Sequence, residues 1–145
     1  TIQRLARARE EVAVVDDQSG SPTWARMIAE ATAVVLAELR APARREVLSG
    51  AQRCRIYHMT CAGETSWYGF ATEIIGRMRR EQEGGRLATL RPIPTAQYAT
   101  KAVRPRYSVL SNIRIERELG VVLPRWEDAL DLCFGVEIAC RSDGV

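Results

Sequence analysis

The stretch Val14-Val15-Asp16-Asp17-Gln18-Ser19-Gly20-Ser21-Pro22-Thr23-Trp24 breaks from an apolar strand into a polar turn and then launches a helix. Val12 to Val15 is β-branched and short, the signature of a buried strand. Ser21 or Thr23 is placed to cap the helix that follows. Pro22 suits its first turn, where a missing N–H would be unpaired anyway. The turn gathers two carboxylates, an amide and hydroxyls beside free backbone N–H groups, a setting that suits a polar ligand. Asp16 and Asp17 are adjacent and point to opposite faces of a strand, so they do not read as a catalytic carboxylate pair. Asp17 reads as a structural acceptor for turn N–H groups, while Gln18, Ser21 and Thr23 are free to meet a ligand.

Outward from this turn, the pattern alternates strands with helices. Residues 1–9 read as the last turns of a helix with Ile2 and Leu5 on one face and no start, so the chain is expected to begin inside an element. From Trp24 the apolar positions Met27, Ile28, Ala31, Val35 and Leu39 form a helical stripe that ends near Pro42. Residues 41–53 read as a polar, arginine-rich connection and Arg55–Met59 as a second strand. Thr65 or Ser66 caps a helix carrying Trp67, Phe70, Ala71, Ile74, Ile75 and Met78, with Arg77, Arg79 and Arg80 complementing the negative end of its dipole. Residues 81–85 read as a loop. Leu87–Ile93 reads as a strand whose Pro92 places it at a sheet edge, and Pro94–Ser108 reads as largely irregular. Asn112–Leu119 is a short helix closed by Gly120. A last helix opens at Pro124 and Trp126, with Leu130, Cys133 and Phe134 facing inward. The organisation is thus a truncated helix over 1–10, a main body over 11–134 and a loose tail over 135–145, in an α/β arrangement with a thin sheet.

Composition narrows the function. The 145 residues fit one domain, 46% hydrophobic and 27% charged, as in ordinary folded proteins. No apolar run approaches the roughly 18 residues of a membrane span, so a cytoplasmic protein without membrane contact is expected. Net charge is +3, and Lys101 is the sole lysine among 21 cationic residues. Arginine's planar fork suits phosphate and carboxylate, although a compositional bias of the coding DNA gives the same skew. The basic residues are scattered, which argues against a nucleic-acid surface. Arg104-Pro105-Arg106 is the best anion grip, because a proline-stiffened segment loses less freedom on binding.

Several chemistries are absent. Cys54, Cys61, Cys133 and Cys140 form no CxxC pair, and His58, the single histidine, is not spaced to complete a zinc site. His58 reads as a packing residue in an apolar strand. Cys61 has no base partner beyond His58. There is no GxGxxG, GxxGxxG or GK[ST] phosphate loop. Tyr98 and Lys101 are three apart, not the four that would put a phenol and an ammonium one helical turn apart, so no Tyr/Lys proton-donating pair exists. No catalytic residue is assigned.

Five segments together resemble the C-terminal part of the dTDP-4-dehydrorhamnose reductases, which are extended short-chain dehydrogenases. They are VVDDQSGSPTWARMIAEAT (14–32), IYHMTCAGETSWYGFATEI (56–74), LRPIPTAQY (90–98), RPRYSVL (104–110) and LPRWEDALDLC (123–133), in the family's order and spacing over roughly residues 2–134. The resemblance implies the end of a Rossmann sheet plus a small substrate-binding lobe, with the N-terminal Rossmann half absent. It implies an oxidoreductase of dTDP-rhamnose biosynthesis that passes hydride from NADPH or NADH to the C4 keto group of dTDP-4-dehydro-6-deoxy-L-mannose. The cofactor would be bound outside this chain, Mg2+ is allowed by the family, and so is a homodimer. Carried onto these positions, Gln18, Ser21, Pro22, Thr23 and Arg104 are the substrate-side residues. The chain alone should be inactive. It should also be only marginally stable, since the strand near residue 57 would lack its parallel neighbours. Cys54-Arg55 where the family has glycine, Lys101 where it has proline, and an unmatched tail are the departures. Two alternatives stand beside this reading: a non-catalytic relative, like the regulatory β subunit of methionine adenosyltransferase, and an independent nucleotide-binding module.

Overall fold

In a computed structural model the description covers residues 1–40, 55–81, 86–98 and 102–142. The connection 41–53, most of the 81–85 loop and Lys101 therefore lie outside the described residues. Helix α1 (Ile2–Ala8) leads into strand β1 (Glu11–Val15), and β2 (Ser19–Gly20) and helix α2 (Ala25–Arg40) follow. Strand β3 (Thr65–Ser66) runs directly into helix α3 (Trp67–Glu81), and then come strand β4 (Thr89–Ile93) and a 3-10 turn over Thr95–Gln97. Helices α4 (Ile113–Leu119) and α5 (Trp126–Ser142) complete the order.

The sheet is a parallel pair of β1 and β4, in register from Glu11 opposite Thr89 to Val15 opposite Ile93. Pro92 faces Val14 in a strand that has one partner among the described residues, consistent with an edge. The expected second strand, Arg55–Met59, does not form. That segment is extended but carries no ladder, and its polar groups go elsewhere. Tyr57 Oη donates to Glu118 at 2.7 Å, and the Thr60 N–H meets the Asn112 side chain at 3.2 Å. His58, expected to pack, is exposed.

The main core forms where α3 and α5 pack together, with Ile74, Ile75, Met78, Trp126, Leu130 and Phe134 all buried. Phe70 meets Trp126 edge-on at 5.8 Å between ring centres, a favoured aromatic geometry. Arg77 is no terminal dipole partner. Its side chain is 7% exposed and ties the two helices, with Nε bonding Asp131 at 2.7 Å, Nη1 bonding Glu73 at 2.7 Å and Nη2 donating to the Glu127 carbonyl. Burial opposes its charge, but the bonds to Asp131 and Glu73 outweigh that and hold its pKa above the usual arginine value. A second cluster joins Ala31 of α2 to Ile115, Leu119, Val121 and Leu123, with Tyr57 and Met59 against it. Gly120 ends α4 at φ 67°, the left-handed conformation in which glycine avoids a Cβ clash. Helix α5 runs to Ser142, through most of the stretch read from sequence as a tail.

Candidate functional site

The polar turn after β1 is fixed from both sides. The Asp16 N–H bonds Ile93 O at 3.0 Å, which carries the sheet one residue further. Asp17 Oδ1 accepts the Thr95 N–H at 2.8 Å and the Thr95 hydroxyl as well. Asp17 is thus the structural acceptor expected, though it serves a residue far away in sequence rather than its own turn. The hydroxyl bond from Thr95 holds its carboxyl below the usual aspartate range. Gln18 is 8% exposed, and its Nε2 donates to Thr95 Oγ1 at 2.9 Å.

The chain then lays Ser19 between two neighbours. Ser19–Gly20 pairs antiparallel with Thr65–Ser66. On the other side the Ser19 N–H bonds Arg106 O at 2.8 Å, and the Ser108 N–H bonds Ser19 O at 2.9 Å. These bonds draw the irregular segment 104–108 against the turn. Tyr107 Oη, bonded to Glu64 at 2.8 Å, strengthens the join. Ser21 Oγ donates to Gly63 O at 2.7 Å. Gly63 sits at φ 84°, the left-handed region that favours glycine, and a Cβ there would also stand a tight 3.2 Å from Trp126 Cδ1.

Neither Ser21 nor Thr23 caps α2, which begins at Ala25 with Pro22 outside it. Thr23 Oγ1 donates to Ser21 O at 2.9 Å and accepts the Cys61 N–H at 3.0 Å, a strut between loops. The helix that does carry a side-chain cap is α3. Ser66 Oγ accepts the Gly69 N–H at 3.0 Å, three residues on, and also bonds Asp16 at 2.5 Å.

These segments enclose an open cleft of about 290 Å³, lined by Gln18, Ser21, Pro22, Ser66, Trp67 and Arg104 among others. Four of the five residues singled out from sequence are brought together here. Thr23 is not one of them: it lines an adjoining apolar groove with Trp24, Phe70 and Trp126. Arg104 is exposed on the cleft wall and has no salt bridge among the described residues. Charge without a partner, beside hydroxyls, is an arrangement for an anion.

Sequence reasoning missed Ser66, Ser108 and Trp67 as cleft residues. Trp67 belongs to the apolar stripe of α3, yet it is 54% exposed. Its position as the helix's first residue was the available signal, because the stripe runs out of covering elements there. The described residues contain no cluster of three His, Cys, Asp or Glu side chains able to hold a metal ion. Cys61 is buried, and burial pushes its thiol pKa up, which leaves it no nucleophile. No helix among the described residues is long and apolar enough to cross a membrane.

A parallel strand pair backed by helices, with a hydroxyl- and arginine-lined cleft at the strand end and no phosphate loop, defines a ligand-binding lobe of the α/β class. The chain belongs to the RmlD substrate binding domain family, whose model matches residues 1–137. It is 47% identical over 135 residues to a dTDP-4-dehydrorhamnose reductase of Burkholderia thailandensis, covering 92% of this chain and 44% of that protein. Among solved structures it resembles a Clostridium acetobutylicum dTDP-4-dehydrorhamnose reductase at TM-score 0.75 and 27% identity, over 93% of this chain and 41% of that one. It also resembles the Bacillus anthracis enzyme in complex with NADP, at TM-score 0.65 and 27% identity, covering 92% and 41%. The chain thus spans about two fifths of the length of these relatives, and its α/β fold is that of their substrate-binding part.

Proposed function

We propose that this chain supplies the sugar-nucleotide-binding lobe of a dTDP-4-dehydrorhamnose reductase, with dTDP-4-dehydro-6-deoxy-L-mannose as the ligand of the cleft and dTDP-L-rhamnose as the product. The observation that carries the reading is that Arg104, without a salt bridge among the described residues, lines one cavity together with Ser21 and Ser66. A diphosphate there would meet a planar cationic fork, and the Ser21 and Ser66 hydroxyls, their protons committed to Gly63 O and Asp16, offer acceptor lone pairs to the hydroxyls of a sugar. Family membership and the reductases among the relatives support the substrate class.

Hydride transfer belongs to the whole reductase. NADPH or NADH would be its source, a reading supported by the NADP held in the Bacillus anthracis relative. No glycine-rich phosphate loop and no Tyr/Lys pair occurs in the sequence, so the dinucleotide has no cradle among these residues. What this chain's residues do is bind and orient. Gln18, held by Thr95, and Ser21, held by Gly63, present fixed polar groups in the cleft that the exposed Arg104 also lines.

Arg104→Ala tests the assignment. Calorimetric titration with dTDP should show affinity falling by about 1.5–3 kcal/mol, the range for losing a hydrogen bond to a charged group. Thermal stability should hold, since the side chain is exposed. An unchanged affinity would remove Arg104 from the site.

A further inference from the structure

Trp67 belongs to a helix whose apolar stripe is otherwise sheltered: Ala71, Ile75 and Met78 are all at most 3% exposed, whereas Trp67 is 54% exposed. It is the one aromatic residue among those lining the polar cleft. A second cavity of about 420 Å³ opens along Ile2, Leu5 and the residues of β1, and Gln18, Trp67 and Arg104 line it as well as the cleft. These three side chains are therefore the wall common to both spaces. The larger space runs along the edge of β1 that has no partner among the described residues, so the polar cleft is the space in which a ligand would meet this wall.

That wall pairs a flat indole with an unneutralised guanidinium. The two together match a ligand that joins a planar ring to a phosphate, and stacking on an aromatic platform is how proteins hold nucleobases without reading each edge atom. Resting on the sugar-nucleotide reading above, the geometry points to Trp67 as the platform for the thymine base, with Arg104 taking the diphosphate. A half-exposed indole is costly to leave in water, and a stacked base removes that exposure.

The test compares Trp67→Leu, which keeps an apolar side chain but loses the ring face, with Trp67→Phe, which keeps a ring. Both are titrated calorimetrically with dTDP, dTDP-L-rhamnose and inorganic pyrophosphate, with circular dichroism as a check on folding. Trp67→Leu should bind dTDP about tenfold or more weakly, as loss of one base–aromatic stack implies, while its pyrophosphate affinity stays at the parent value. Trp67→Phe should stay within about threefold of the parent for dTDP, since a ring face remains. Parent-like dTDP binding by Trp67→Leu would overturn the platform, as would equal losses for dTDP and pyrophosphate. A loss confined to dTDP-L-rhamnose would move the contact to the sugar and also overturn it. Failure of the parent chain to bind dTDP at all would sink the sugar-nucleotide reading, and the platform with it.

Discussion

The turn Asp16–Thr23 and the layer between α3 and α5 hold their shape by different forces. Along the turn, the Ser19 N–H and carbonyl engage residues 106 and 108, Ser21 Oγ and Thr23 Oγ1 engage Gly63 and Cys61, and Asp17 Oδ1 engages Thr95, with little apolar surface involved. Between the helices, Met78, Ile75, Leu130 and Phe134 are packed and buried, and the buried Arg77 pairs there with Glu73 and Asp131. Directional bonds are worth about 1 kcal/mol apiece net, whereas a buried aliphatic side chain is worth about 2–5 kcal/mol against truncation. The contrast teaches where a binding lobe can keep polar groups available. It anchors its fold on volume, and leaves the cleft to bonds weak enough to be individually expendable.

Truncating the packed side is the strongest challenge to this contrast. Met78 is 1% exposed, and Met78→Ala should cost about 3 kcal/mol, the mid-range for a buried methionine, read as a lower urea midpoint at unchanged slope. A smaller step removes one bond from the turn. Ser21→Ala loses the 2.7 Å bond to Gly63 O and should cost about 1 kcal/mol in the same titration. If Ser21→Ala proved as costly as Met78→Ala, the distinction between the two regions would be wrong.

The smallest effect concerns acid. The folded pKa of Asp17 is depressed by the Thr95 bonds, so its stabilisation is complete above the unfolded aspartate value near pH 4 and is lost as pH falls through the lower folded value. Asp17→Asn keeps an oxygen acceptor and does not titrate. The stability gap between parent and variant, measured by urea unfolding, should therefore shrink from pH 6 to pH 2. A gap that stayed constant would show that ionisation of Asp17 contributes nothing.

The elements visible in the sequence are those with local causes. Strand β1, helix α3 with its Ser66 cap, and the stop at Gly120 follow from periodicity, one hydroxyl and one left-handed glycine. The segment Arg55–Met59 misled because its alternation is real: Tyr57 and Met59 do face a cluster. A strand also needs a neighbour, however, and here Glu118 and Asn112 take the bonds instead, a choice made by residues more than fifty positions away. Loss of periodicity after Phe134 misled in the opposite sense, since backbone bonding carries α5 on to Ser142 without an amphipathic pattern. Gathering Gln18, Ser21, Pro22 and Arg104 was legible through the resemblance, whereas Thr23 turned inward because the Cys61 N–H needed an acceptor. Arg77 read as a dipole partner because nothing local reveals that Asp131 lies across from it.

The unequal burial of the tryptophans gives the molecule its own optical reporters. Trp126 is 5% exposed and Trp67 54%. Indole emission shifts to the red as water reaches the ring, so the blue edge of the spectrum reports the helical layer and the red edge the mouth of the cleft, with the half-buried Trp24 emitting between them. A quencher dissolved in the solvent should dim the red edge first. Unfolding should instead move the blue edge, so occupancy and collapse become separable colours in one cuvette.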